Sequence, residues 1–181
     1  MLQSETRRVA QRPTEQSYSP PDGSRGIPTL QRRTQIKPPK ILVIEDNPAD
    51  VTLLRYGLDQ QGEEYELELL LDGAAAVSFV DEHRAGRRDP DPCVILLDLH
   101  LPKYDGMEVL RAIKRAPVLA HIRVVVMTGC ASPNEEADIL ALGAICRKKP
   151  SELSRCLELA AEILAICKGS VPEETAPVEA S

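Results

Sequence analysis

"VILLDLHLPKYDG", residues 94–106, sets an unbroken aliphatic run against an aspartate and then a turn. A short apolar run bounded by polar residues fits a strand buried on both faces. Pro102 and Gly106 suit the turn, and Met107, Leu110 and Ile113 mark one face of a following helix. Asp98 stands at the end of the run. Burying an unpaired carboxylate costs several kcal/mol. Either its side chain emerges at the strand end, or the acid is held there for chemistry.

The same pattern repeats on both sides. Aliphatic runs occur at KILVIE (40–45), YELELLL (65–71), CVILLD (93–98), RVVVMT (123–128) and AICRK (144–148). Only YELELLL alternates, which predicts a strand nearer the sheet edge. Helical periods fill the gaps. Asn47 can cap a first helix with Pro48 at its opening position, and Val51, Leu54 and Leu58 then share a face. A second helix spans 73–85 with Val77 and Val80 inward. A fourth runs from about 133 to 142, with Gly143 as its C-cap. The fifth sets Leu153, Leu157, Ala161 and Leu164 on one face. RAGRRDPDP (84–92) reads as a charged surface loop. Five strands alternating with five helices predict an α/β, flavodoxin-like (βα)5 fold: a doubly wound parallel five-stranded sheet with helices on both faces.

Outside this segment the composition changes. Residues 1–39 hold six prolines and no sustained apolar period, and residues 169–181 read likewise, so both are expected to be disordered. The domain is placed at 40–168. Eight Lys/Arg against three Asp/Glu make residues 1–40 basic, whereas 41–168 hold fourteen against twenty-two. The basic residues of the leader are dispersed and no recognition helix accompanies them, which argues against nucleic acid as a partner. No stretch approaches the roughly 20 apolar residues of a membrane span, and the N-terminus lacks a secretory apolar core. A cytoplasmic protein with no membrane partner is expected. The five cysteines (Cys93, Cys130, Cys146, Cys156, Cys167) include no C-x-x-C and are expected to be reduced; the three histidines (His83, His100, His121) are expected not to cluster.

In a doubly wound sheet, ligands sit beyond the carboxyl ends of the strands, at the switch point. Glu45 and Asp46 end the first strand, Asp98 the third, Thr128 the fourth, and Lys149 follows the fifth. Three converging carboxylates repel unless a cation sits among them. An oxygen-only set with water suits Mg²⁺. Each residue also has a plainer reading: Glu45-Asp46-Asn47 as a capping cluster, Asp98 as a strand terminus, Thr128 as a β-branched strand residue, Lys149 as a solvated charge. Those readings leave unexplained why every polar terminus falls on one rim.

These motifs, Glu45-Asp46 after ILVI, Asp98 in LLDLHLPKYDG, Thr128 in VVVMTG and Lys149 before Pro150, resemble the receiver domains of two-component response regulators over about 130 residues. The long loop before the third strand and LPKYDG are similar to the stand-alone regulators associated with phytochromes. The resemblance implies that Asp98 accepts a phosphoryl group from a sensor histidine kinase, with Mg²⁺ held by Glu45, Asp46, Asp98 and the backbone carbonyl of His100. Lys149 and Thr128 would contact the phosphoryl oxygens. It further implies a regulatory module rather than an enzyme, acting on a downstream protein or a second copy through the helix 4/helix 5 face. Cys146 stands where the family commonly has an aromatic switch residue. Two alternatives remain: a degenerate receiver that docks constitutively, and a nucleotide- or flavin-binding enzyme, although P-A-D stands where a Gly-rich phosphate loop would follow the first strand.

Overall fold

Each aliphatic run forms a strand. In the computed structural model these are β1 (Lys40–Ile44), β2 (Glu66–Leu70), β3 (Val94–Asp98), β4 (Arg123–Thr128) and β5 (Ile145–Lys148). They alternate with α1 (Pro48–Asp59), α2 (Gly73–Arg84), α3 (Gly106–Lys114), α4 (Pro133–Ala141) and α5 (Leu153–Cys167). The structure describes residues 37–88, 91–102 and 104–170. The expected leader before residue 37, the tail after 170, and Asp89, Pro90 and Lys103 of the two loops lie outside the described residues. No described helix is long and apolar enough to cross a membrane.

All strand pairs are parallel, in the order β2-β1-β3-β4-β5. The alternating strand, β2, is an edge, as its sequence predicts. The central strands are buried on both faces because successive side chains point to opposite sides. Leu42, Ile44, Ile95, Leu97, Val124 and Val126 meet α2, α3 and α4 through Phe79, Leu110, Ile113 and Ile139. Ile41, Val43, Val94, Leu96, Val125 and Met127 meet α1 and α5 through Leu54, Leu58, Leu159 and Ile163.

Helix starts follow their capping residues. The Asn47 side chain accepts the Ala49 N–H at 3.0 Å, with Pro48 opening α1. Ser132 and Glu135 form a reciprocal capping box on α4, and Gly143, at φ 67°, supplies the left-handed turn beyond that helix. Two helix faces differ from expectation. In α5 the buried stripe is Cys156, Leu159, Ala160, Ile163, Leu164 and Ile166, while Leu153 is exposed. A helix this rich in apolar residues offers two overlapping stripes, and its orientation is set by the close approach to α1. There a Cβ on Gly57 would stand 2.8 Å from the Cys156 carbonyl oxygen. In α2, Ala76, Phe79, Val80 and His83 face inward and Val77 only partly.

The cysteine expectation also fails for one pair. Cys93, just before β3, and Cys167, ending α5, are joined by a disulfide, with Cα atoms 5.0 Å apart. They lie 74 residues apart in sequence, so only the packing of α5 across the sheet brings them together. Cys130, Cys146 and Cys156 are free.

Beneath the edge strand, Glu68 pairs with Lys40 at 2.8 Å and Arg88 at 2.5 Å. Burial pushes the Glu68 carboxyl up, but bonds from Lys40 and Arg88 outweigh it and hold it below the ordinary 4.5. A depressed folded value means the contribution is complete above 4.5 and is lost as pH falls through the folded value. Glu68→Gln is therefore expected to cost about 2 kcal/mol at neutral pH, by loss of charge-assisted bonds. The penalty shrinks in acid. Denaturant midpoints of both proteins at neutral pH and at about pH 3 check this; equal penalties at both would contradict it.

Candidate functional site

β1 and β3 are neighbours, and the chain runs on from β1 to β2 on one side and from β3 to β4 on the other, so the connections diverge at their carboxyl ends and open a crevice there. Glu45 lines it. Its N–H extends the ladder to the Leu70 carbonyl at 3.0 Å, and its side chain is 1% exposed. Asp46 follows on the exposed rim. Asp98, ending β3, is 3% exposed. The carboxylates of Glu45, Asp46 and Asp98 present oxygens within 4.8 Å of one another. The acid at the end of "VILLD" is thus held inside the crevice rather than released to solvent.

Lys149 accounts for much of that tolerance. Its amide bonds the Thr128 carbonyl at 2.8 Å, continuing the β4–β5 ladder and turning the side chain inward, while Lys148 is exposed. The ammonium lies 2.8 Å from Glu45 Oε2, 2.8 Å from Asp50 Oδ2 and 2.9 Å from Asp98 Oδ2. Burial alone would lower the Lys149 pKa, but the neighbouring carboxylates of Asp50, Glu45 and Asp98 raise it well above the usual lysine value. Glu45 moves the other way relative to its class. Burial raises its carboxyl above 4.5, and the nearby Asp98 charge adds to this, against the lowering effect of Lys149 and the Asn47 amide. One ammonium against four acids leaves the pocket short of positive charge.

Other donors hold the acids in place. The Asn47 N–H reaches Glu45 Oε1 at 3.1 Å, and the His100 N–H reaches Asp98 Oδ1 at 3.1 Å. The His100 imidazole is largely exposed, with Nδ1 3.8 Å from the same oxygen. Thr128 lies one residue beyond Met127, the register partner of Asp98. Its buried hydroxyl accepts the Cys130 N–H at 3.3 Å and so shapes the loop after β4. Cys146 is half-buried on β5 and packs against the α2/α3/α4 side of the core.

Sequence reading missed Asp50. It sits in the first turn of α1, where an acid is favoured by the helix dipole, so its side chain looks accounted for without a partner. Away from the crevice, His83 Nε2 lies 3.3 Å from Asp91 Oδ1 and His121 Nε2 lies 3.4 Å from Asp91 Oδ2.

The acid set fits a hard divalent ion. Three carboxylates supply only oxygens, and the buried Glu45 Oε2 has no hydrogen-bond partner; its contact with Lys149 is an ion pair outside hydrogen-bond geometry.

A family model described as "Response regulator receiver domain" matches residues 41–159. The chain is 46% identical over 105 residues to the response regulator Rcp1 of Synechocystis sp., covering 58% of this chain and 69% of that one. It is 42% identical over 95 residues to the probable methanogenesis regulatory protein FilR2 of Methanothrix harundinacea, covering 52% and 61%. Among solved structures, it resembles the Mn(2+)-bound form of Rcp1 with a TM-score of 0.64 and 34% identity, over 75% of this chain and 98% of that one. It also resembles the phosphorylated cyanobacterial phytochrome response regulator RcpA, with a TM-score of 0.66 and 29% identity, over 77% and 100%.

Proposed function

The chain belongs to the response regulator receiver domain family of two-component signalling, and from that premise we propose that Asp98 accepts a phosphoryl group from a sensor histidine kinase. The observation that carries this reading is the Asp98 carboxylate, buried yet facing a crevice, with Lys149 at 2.9 Å. Glu45, Asp46, Asp98 and the His100 carbonyl would hold Mg²⁺. When bound, the ion supplies positive charge that offsets the phosphoryl oxygens and the crowded acids.

The chain's own groups have distinct tasks. An Asp98 oxygen attacks phosphorus, the bond to the donor nitrogen breaks, and an acyl phosphate results. The His100 N–H on Oδ1 and the Lys149 ammonium on Oδ2 together fix the plane of the carboxylate. Lys149 keeps its proton throughout, because its acid neighbours raise its pKa. It therefore follows the developing charge as a cation and does not serve as an acid. The Thr128 hydroxyl, which accepts the Cys130 N–H, would donate its own hydrogen to a phosphoryl oxygen, drawing the loop before α4 inward.

That displacement would alter the face formed by α4 and α5, where Leu140 is 57% and Leu153 49% exposed. Large apolar side chains left on that face suit a downstream protein or a second copy of the chain. The role is regulatory switching, with phosphotransfer and hydrolysis as slow self-catalysed steps rather than enzymatic turnover. Incubation with phosphoramidate and Mg²⁺ is expected to add the mass of one phosphoryl group, and chelation or Asp98→Asn to abolish the gain. No gain in the wild type would leave the constitutive docking module. A gain retained in Asp98→Asn would move the acceptor elsewhere.

A further inference from the structure

We propose that Asp50 is a positioning residue that restrains the Asp98 site: it holds the Lys149 ammonium in the unphosphorylated chain and competes with the phosphoryl group for it. Resting on Asp98 as the phosphoryl acceptor, this gives the crevice a built-in opponent of the phosphorylated form.

Asp50 is not among the three carboxylates whose oxygens converge, yet it shares their lysine. Lys149 Nζ donates hydrogen bonds to Asp50 Oδ2 at 2.8 Å and to Asp98 Oδ2 at 2.9 Å. Its approach to Glu45 Oε2 is an ion pair outside hydrogen-bond geometry. An ammonium only donates, so the bonds to Asp50 and Asp98 fix where it points. The space that Asp50 and Lys149 share with Leu53, Leu54 and Met127 is about 20 Å³, room for one water at most. Those three largely apolar side chains give Nζ no substitute anchor.

Phosphorylation upsets this balance. The phosphoryl oxygens stand farther out than the Asp98 oxygen that links them, so Nζ must move to reach them. Asp98 carries the new group, and Asp50 is the partner left behind. Its side chain is 32% exposed, against 4% for Asp98 and 1% for Glu45, so water can take over its oxygens. Its place in the first turn of α1 also favours a negative charge that has lost its partner. Release is therefore possible but opposed. A phosphoryl group brings a charge of about −1.5 to −2, and it repels a carboxylate that Lys149 no longer neutralises. The lost bond and the repulsion both weigh against the phosphorylated form.

Fluoroberyllate, a mimic of the phosphoryl group on an aspartate, tests this when titrated into the full chain in saturating Mg²⁺. The fluorine resonance of the bound adduct gives the affinity. Asp50→Ala is expected to bind at least about fivefold more tightly than the wild type. Asp50→Asn, which keeps the shape and removes the charge, should gain in the same direction, and Asp50→Glu should return towards the wild-type value. The gain should persist in about 1 M salt, where only direct contacts escape screening. A merely structural role for Asp50 would weaken binding or leave it unchanged. Equal or weaker binding in both Asp50→Ala and Asp50→Asn would thus overturn the competition while leaving Asp98 as acceptor, and so would a gain that vanishes in salt. No fluoroberyllate binding by the wild type would instead remove the acceptor reading beneath it.

Discussion

Gly106→Ala is expected to lower stability by about 3 kcal/mol or more, the scale of backbone overpacking, and to disable the Asp98 site in whatever fraction stays folded. A Cβ on Gly106 would overlap the Leu99 Cα and stand 2.7 Å from the Leu99 oxygen and 2.8 Å from the Asp98 oxygen. All three are backbone atoms, so no side chain can swing aside. The Gly106 N–H also bonds the Leu99 carbonyl at 3.1 Å, which folds the start of α3 directly against the end of β3. Space for a methyl could come only from moving residues 98–99, and these carry the carboxylate and position the His100 amide on it. Gly129 provides the control. A Cβ there meets nothing within 4 Å, so Gly129→Ala should change stability by less than about 1 kcal/mol. Thermal melts and phosphoryl uptake of the two variants check this, and a Gly106→Ala protein matching the wild type in both would contradict it.

Lys149→Met is expected to lose about 3–5 kcal/mol in chelator, the cost of stranding buried charges, and to recover part of it on addition of Mg²⁺. Removing the ammonium leaves Glu45, Asp50 and Asp98 facing one another, with the Glu45 and Asp98 side chains 1% and 4% exposed. Some of the loss is relieved by protonation, starting with Glu45, whose carboxyl burial already raises. A divalent ion can take over the charge balance but not the position of Nζ. The stabilisation by Mg²⁺ should therefore be larger in Lys149→Met than in the wild type, while phosphoryl uptake stays impaired. Chemical denaturation with and without Mg²⁺ decides it. The same stability as wild type in chelator would show that the acids are compensated in some other way.

The sheet was legible because its strands are continuous aliphatic runs, and a run buried on both faces leaves the helix only the gaps between. β2 announced its edge position by alternating. What the sequence hides depends on tertiary placement. Either stripe of α5 is apolar enough to bury, and the choice rests on Gly57 admitting Cys156. The Cys93–Cys167 bond needs two segments 74 residues apart to meet, and no local spacing signals that. Around the crevice, Glu45, Asp46, Asp98 and Lys149 were visible because each stands abruptly at the end of an apolar run. Asp50 was not, since an acid in the first turn of a helix needs no further reason to be there.

The central electrostatic claim is that the acids ending β1 and β3 share one divalent ion. Titration of the full chain with Mn²⁺, followed by the paramagnetic resonance signal of the free ion, measures that directly. One bound Mn²⁺ per chain is predicted, displaced by Mg²⁺ and weakened at least about tenfold by Asp46→Asn, a loss on the scale of removing a ligand. Binding with the same affinity in Asp46→Asn and Asp98→Asn, or no binding at all, would contradict it.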